Sequence, residues 1–210
     1  WEALRMSNDS SIEGADKAGI IALAERGYFS AQRELEQLLD DLAVDRDVRA
    51  EHKRIDIVSC LNTALHHEAY RLKKKGQAVD VMAPGTLVAL GDAHWTTQIL
   101  QALISNASKF SPRGSSISIN AGATADGSAI TVSDKGTGFT GSDLVAVFTR
   151  YAILSSRTTA GEPQARGTLA RARQWAHAQG GRLNVESEGP GQGARFTLTL
   201  PPAQSLLGIS

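Results

Sequence analysis

Three short blocks in a fixed order constrain this chain most: QALISNASKFSP at residues 101–112, DKGTGF at 134–139 and GQGARFTLTLP at 191–201. The first reads as a helix that Asp92 caps and that runs to about Lys109. In it Asn106 falls four residues after Ala102 on one face, with Lys109 one turn further on, so a carboxamide and an ammonium approach one place. The second block follows an alternating strand at 128–133 that delivers Asp134 to a strand edge. Gly136 and Gly138 then permit tight turns and close approach to the backbone. In the third, Gly191 and Gly193 form a turn, after which Phe196, Leu198 and Leu200 alternate into a core while Thr197 and Thr199 face the other side.

Around these blocks the patterning changes once. From Ile21 the chain repeats apolar or small residues at Ala24, Tyr28, Ala31, Leu35, Leu38 and Leu42, a heptad seam with Glu25, Arg33, Glu36 and Asp40 between. A long helix over about 15–47 is expected, weakened by about 1 kcal/mol at Gly27. The seam suits packing in a bundle or dimer; a surface helix covering its own domain is the alternative. Beyond the charged connector at 45–54 the pattern is mixed. Strands are expected at 55–58, 77–82, 86–90, 116–120, 128–133, 182–186 and 194–200, and helices at 61–75, from Asp92, and at 169–179. Gly180 and Gly181 end the last helix. The fold class is therefore α+β: a long N-terminal helical element over 1–50, then a two-layer α/β sandwich over 51–210, with helices on one face of a mixed sheet.

Composition bounds the function. With 22 basic and 22 acidic side chains the net charge is zero, so no general attraction draws the chain to nucleic acid, and none is expected as a partner. The single cysteine, Cys60, excludes an internal disulfide, and neither a CxxC pair nor a His/Cys cluster suggests a metal centre. A reducing compartment is the most economical reading. No apolar run approaches the ~20 residues of a membrane-spanning helix, so direct membrane insertion of this segment is not expected. The chain begins at Trp1 without methionine, which leaves open that it is a piece of a longer protein. The expected location is the cytoplasm, as a soluble protein or as the cytoplasmic portion of a larger membrane-bound one.

The order of the three blocks, the helix before them and the terminal RFTLTLP strand together resemble the nucleotide-binding framework of sensor histidine kinases. Residues 32–49, QRELEQLLDDLAVDRDVR, look like the end of the second helix of their dimerisation domain. Residues from about 55 to 201 look like their catalytic ATP-binding domain of the GHKL group, which also contains gyrase B and MutL. The resemblance implies ATP and Mg2+ as cofactors, a homodimer formed through the N-terminal helix, and a response regulator or a regulatory protein as partner. In that family an accepting histidine lies on a partner helix in a His-Glu motif; His52, His66, His67, His94 and His177 all lie in other contexts.

The resemblance also implies roles. An amide oxygen can ligate Mg2+ while phosphates and water complete the shell, and in resembling kinases the position of Asn106 holds the metal. A surface or capping amide is the alternative. Lys109 would offset phosphate charge. Asp134 takes the position of the aspartate that accepts a proton from the exocyclic amine of adenine; an Asx-turn followed by two turn glycines is the alternative. Gly136 and Gly138 would let the base approach. Phe148 and Tyr151, in VFTRY at 147–151, resemble the aromatic anchor below a lid that LSSRTTAGEPQ at 154–164 would form, with Arg157 a phosphate candidate.

The chain departs from the pattern at two places. Ala102 stands where kinases usually carry a second asparagine and gyrase-type ATPases a glutamate that activates water. At 166–169 the chain reads RGTL where GLGL is usual, so Arg166 and Thr168 replace glycines and Gly167 remains as a displaced one. Backbone N–H groups at the start of the next helix can still receive phosphate, and Arg166 adds a cation, but glycine-only geometries are not automatically open to Arg or Thr. Three functions follow from the resemblance: a histidine kinase core that transfers the γ-phosphoryl group to a histidine elsewhere, a degenerate kinase-like regulatory module, and a GHKL-type ATPase. The last is disfavoured by Ala102.

Overall fold

In the computed structural model the residues described are 50–149, 158–159 and 167–203. The seam from Ile21 to Leu42 and the helix expected over 15–47 lie outside them, as do Tyr151, Arg157, Arg166 and most of the 154–164 segment.

Strand β1, Lys53–Asp56, pairs antiparallel with β3, Val88–Gly91, in a separate two-stranded ladder. The strand expected at 55–58 is thus displaced toward the N-terminus. Ile57 and Val58, apolar and β-branched, begin helix α1, Ile57–Lys75, because Asp56 caps it: its Oδ1 accepts from Val58 N at 3.1 Å and from Leu87 N at 3.0 Å. One carboxylate therefore starts the helix and ties it to the approach to β3. Lys73, Lys74 and Lys75 occupy the last turn of α1, where cations suit the helix dipole, and Gly76 closes it at φ 62°.

The main sheet has the order β2-β4-β5-β7-β6, where β2 is Ala78–Met82, β4 Ser116–Thr124, β5 Gly127–Ser133, β6 Arg182–Glu186 and β7 Arg195–Leu200. Only the β2–β4 pair is parallel, so the sheet is mixed, as expected. Helix α2, Ala93–Phe110, opens on Asp92, whose Oδ1 accepts from Trp95 N at 3.0 Å. A short helix α3, Gly141–Ala146, carries a reciprocal Thr140/Asp143 capping box, and α4, Thr168–Ala178, follows. The end of α4 is a Schellman turn: Gly181 N bonds Ala176 O and Gly180 N bonds His177 O, each at 2.9 Å, with Gly180 at φ 73°.

The core fills the space between helices and sheet. Ile57, Leu61 and Ala64 of α1 and Ile99, Leu100, Leu103 and Ile104 of α2 share it with Ile117 and Ile119 of β4, Ile130 and Val132 of β5, and Phe196 and Leu198 of β7. Trp95 of α2 stacks on Trp175 of α4 at 6.3 Å between ring centres. Buried Gln179 joins the same helices, its Oε1 accepting from Asp92 N at 2.8 Å and Thr96 Oγ1 at 3.0 Å and its Nε2 donating to Trp175 O at 3.0 Å. Among the described residues no helix is long and apolar enough to cross a membrane.

Candidate functional site

Asp134 sits where β5 ends, and the alternation that buries Ile130 and Val132 turns it inward, leaving it only 9% exposed. Its Oδ1 accepts from Gly136 N at 2.8 Å, closing an Asx-turn, and its own N–H bonds Ala194 O at 2.9 Å. Burial raises its pKa from 3.8 to about 6, while backbone hydrogen bonds from Gly136 and Ala194 oppose the rise. The turn reading and the carboxylate reading therefore coexist: one carboxylate oxygen organises the loop, and the group as a whole is a desolvated acceptor.

The loop after Asp134 reaches the end of α2. Thr137 N donates to Phe110 O at 3.3 Å, and a Cβ on Gly136 would lie 2.7 Å from that carbonyl oxygen and from Asp134 Oδ1. Gly136 is glycine because two protein groups already fill the space of a side chain. Gly138, at φ 63°, has no room for a Cβ either, since the Gly189 carbonyl oxygen occupies it. The close approach that both glycines provide is thus to the protein's own backbone.

The same loop end meets the helix that carries the other candidates. Asn106 and Lys109 lie half-buried in the last two turns of α2, on its side away from Leu103, Ile104 and Ala107. Among the described residues the Asn106 carboxamide makes no hydrogen bond. The Phe110 contact brings Asn106 and Lys109 to the same end of the sandwich as Asp134.

Reading the sequence missed what holds that end of α2. Lys75, only 5% exposed, donates from Nζ to Ser108 O at 2.7 Å, Lys109 O at 3.4 Å and Thr159 Oγ1 at 2.9 Å. Buried Gln77 exchanges hydrogen bonds with Ser108, giving from Nε2 to its carbonyl at 3.2 Å and taking its hydroxyl at 2.6 Å. Thr159 adds N–H to Lys109 O at 3.0 Å and Oγ1 to Ser111 O at 2.7 Å. A cation and two polar side chains thus satisfy the carbonyls that a helix leaves open at its C-terminus. The signal existed: Ile57, Leu61, Ala64, Glu68, Leu72 and Lys75 form one stripe at helical spacing, which puts Lys75 on the buried face.

At the phosphate end, Gly167 N-caps α4 with φ −104° and ψ −13°, a conformation any residue adopts, and no side chain caps the first turn. Thr168 begins the helix in ordinary geometry. Replacing glycine at 168 therefore carries no backbone strain. Phe148 packs edge-on to Phe196 at 6.4 Å beneath the Arg173 guanidinium.

A cleft of about 290 Å3 also touches Asp134, lined among others by Ser133, Glu186, Gln192 and Arg195. Ser133, Arg195 and Glu186 are cross-strand neighbours on the face opposite Val132 and Phe196, so this cleft lies on the outer side of the sheet and includes neither Asn106 nor Lys109. Thr197 shares that outer face and bonds Thr131 at 3.1 Å, which is strand packing. Among the described residues no three His, Cys, Asp or Glu side chains converge to hold a metal, so a metal would rely on Asn106, phosphate and water.

Comparison with known proteins matches this arrangement. The family model of the histidine kinase-, DNA gyrase B- and HSP90-like ATPases matches residues 91–204, which take in Asn106, Asp134 and the terminal strand. The sensor-like histidine kinase SenX3 of Mycobacterium tuberculosis H37Rv is 30% identical over 207 residues, covering 95% of this chain and 50% of SenX3. Histidine protein kinase DivJ of Caulobacter vibrioides is 33% identical over 124 residues, 58% of this chain and 20% of DivJ. The chain thus spans half or less of the length of these relatives. Among solved structures, the mycobacterial sensor histidine kinase MprB superposes with a TM-score of 0.61 at 22% identity, over 71% of this chain and 97% of that one. Full-length ShkA in complex with AMPPNP superposes with a TM-score of 0.67 at 23% identity, over 95% of this chain and 41% of that one. The mixed sheet under helices, the buried aspartate on its glycine turn and these matches agree: the chain belongs to the histidine kinase-, DNA gyrase B- and HSP90-like ATPase family, as a GHKL-type catalytic domain related to sensor histidine kinases.

Proposed function

We propose that the chain is the ATP-binding core of a histidine kinase, acting in the cytoplasm, which passes the γ-phosphoryl group to a histidine in another part of the protein for relay to a response regulator. The observation that carries the reading is the junction at Phe110, where the glycine turn that holds Asp134 backs onto the last turn of the helix bearing Asn106 and Lys109. ATP supplies the phosphoryl group, and Mg2+ screens its charge. Asp134 accepts from the exocyclic amine of adenine and disfavours a purine carbonyl in its place. Asn106 offers an oxygen to the metal, Lys109 offsets phosphate charge, and the first N–H groups of α4, with Gly167 and Thr168, receive the phosphate, to which Arg166, outside the described residues, would add a cation. The P–O bond to ADP breaks as the N–P bond to the accepting imidazole forms. The residues therefore contribute positioning and electrostatics, and none is a nucleophile.

Residues 1–50 supply the dimerisation element in this reading, and the seam from Ile21 to Leu42 forms a homodimer.

A second reading, a kinase-like module that regulates a partner without turnover, is favoured by Ala102, which removes a polar group one helical turn before Asn106. Each charge-assisted hydrogen bond lost costs roughly 1.5 to 3 kcal/mol, so affinity one to two decades below that of a complete site is expected. Calorimetric titration of the full chain with Mg-ATP and Mg-ADP, and of Asn106→Ala and Asp134→Ala, tests both. Submillimolar binding weakened about tenfold or more in either variant supports the assigned site. Tight binding unchanged in both defeats it, and no binding supports the regulatory module. Phosphate transfer to the accepting histidine, supplied in the same protein or in trans, distinguishes a kinase from a nucleotide pocket.

A further inference from the structure

Ser187 lies just beyond β6, outside all three blocks, yet its hydroxyl is at the centre of the contact between the 134–139 loop and the 187–193 turn. Ser187 Oγ accepts from Phe139 N at 3.1 Å and from Gly189 N at 3.4 Å, and donates to Gly193 O at 2.7 Å. A hydroxyl has one proton and two lone pairs, so the two N–H groups take its acceptor capacity, and its proton goes to Gly193 O rather than to Gly189 O, which lies farther away at 3.3 Å. Gly193 in turn donates from N to Gly136 O at 3.1 Å, and Gly191 N donates to Thr137 O at 2.7 Å. Gly136 N is the group that holds Asp134 Oδ1.

Steric fit closes the same path. A Cβ on Gly193, at φ 71°, would overlap the Asp134 carbonyl oxygen, and one on Gly138 would overlap the Gly189 carbonyl oxygen while lying 3.1 Å from Ser187 Oγ. Loop and turn interdigitate so closely that neither can shift alone. Val185 and Glu186 are fixed in the β6–β7 ladder, so Ser187 is anchored to the sheet at its other end.

We propose that Ser187 is a positioning residue for nucleotide recognition: through Phe139 N and the Gly193–Gly136 pair it fixes the loop that aims the Asp134 carboxylate at the base. This rests on the nucleotide-binding reading above, and the test separates the two. Amide hydrogen exchange of the ligand-free full chain is measured for wild type, Ser187→Ala and Ser187→Thr, with calorimetric titration of Mg-ATP and Mg-GTP. Ser187→Ala is expected to speed exchange at Phe139, Gly193 and Gly136 by about tenfold or more while Ile119 and Ile130 keep their protection. It weakens Mg-ATP by roughly tenfold and narrows the preference over Mg-GTP, and Ser187→Thr restores both. In an Asp134→Ala background Ser187→Ala costs no further affinity, since contacts acting through one group are not additive. Unchanged exchange at Gly136, an equal loss of affinity in the Asp134→Ala background, or a general loss of protection across β4 and β5 each overturns the proposal. Should wild type bind neither nucleotide, the binding reading falls, and the exchange at Gly136 alone decides whether Ser187 positions the loop.

Discussion

Asp134 carries an energetic cost that its proposed role explains. Its pKa is raised from 3.8 to about 6 because burial disfavours the charge, so this group contributes stability below pH 3.8 that is lost as pH rises through 6. A shift of about two units corresponds to roughly 3 kcal/mol of penalty at neutral pH. Asp134→Asn keeps an oxygen for Gly136 N and removes the charge. It is expected to melt about 5–10 °C above wild type at pH 8 and to lose that advantage near pH 4, which calorimetric melts across that range would show. The same substitution weakens Mg-ATP, because the amide is a poorer acceptor for the exocyclic amine. In wild type the affinity falls as pH drops below about 6, where the carboxylate takes up a proton, a trend that titrations at pH 5 and 7.5 would resolve. Gly193→Ala tests the neighbouring fit. At φ 71° with the Asp134 carbonyl in the way, it is expected to cost about 2 kcal/mol or more in denaturant unfolding, whereas Gly85→Ala, with open space around it, costs little.

Among the elements, α2 is the one on which the site depends, and it is held at both ends by side chains from elsewhere. Gln179 meets Asp92 and Thr96 at its start, while Lys75, Gln77 and Thr159 hold its finish. Gln179→Ala leaves the buried Asp92 N–H and Thr96 hydroxyl without their partner, while Trp175 O keeps the residue 179 N–H, and a loss of about 2 kcal/mol in denaturant unfolding is expected. The body of α2 was legible from the chain alone because its cap, its apolar spacing and its Asn106 and Lys109 face are all local. So was the strand leading to Asp134. The start of α1 was not, since Ile57 and Val58 read as strand until the Asp56 carboxylate is known to bridge Val58 and Leu87, 29 residues apart. Nor were the reasons for the glycines. Gly136 and Gly138 read as room for a base, and only the fold shows Phe110 and Gly189 filling it. The role of Lys75 was not legible either: its stripe places it on the buried face of α1, but the carbonyls it meets belong to α2, more than thirty residues on.

For the whole molecule, the sandwich has a core, an Asp56 cap and a closed Schellman turn built from the described residues themselves. Removing 1–49 is therefore expected to leave the sandwich folded and its nucleotide affinity within about threefold of the full chain, while abolishing self-association. Sedimentation at several concentrations would show this, and a monomeric full chain would remove the dimer reading of the seam. The double anchoring of α2 has one more consequence. A helix fixed at both ends cannot slide or roll to suit an arriving molecule, so the spacing between the base-reading and the phosphate-facing groups is set in advance. The two halves of the ligand should then be recognised separately: adenosine alone and magnesium tripolyphosphate alone would each find a ready-made half-site, and joining them would add their binding free energies without either waiting for the other.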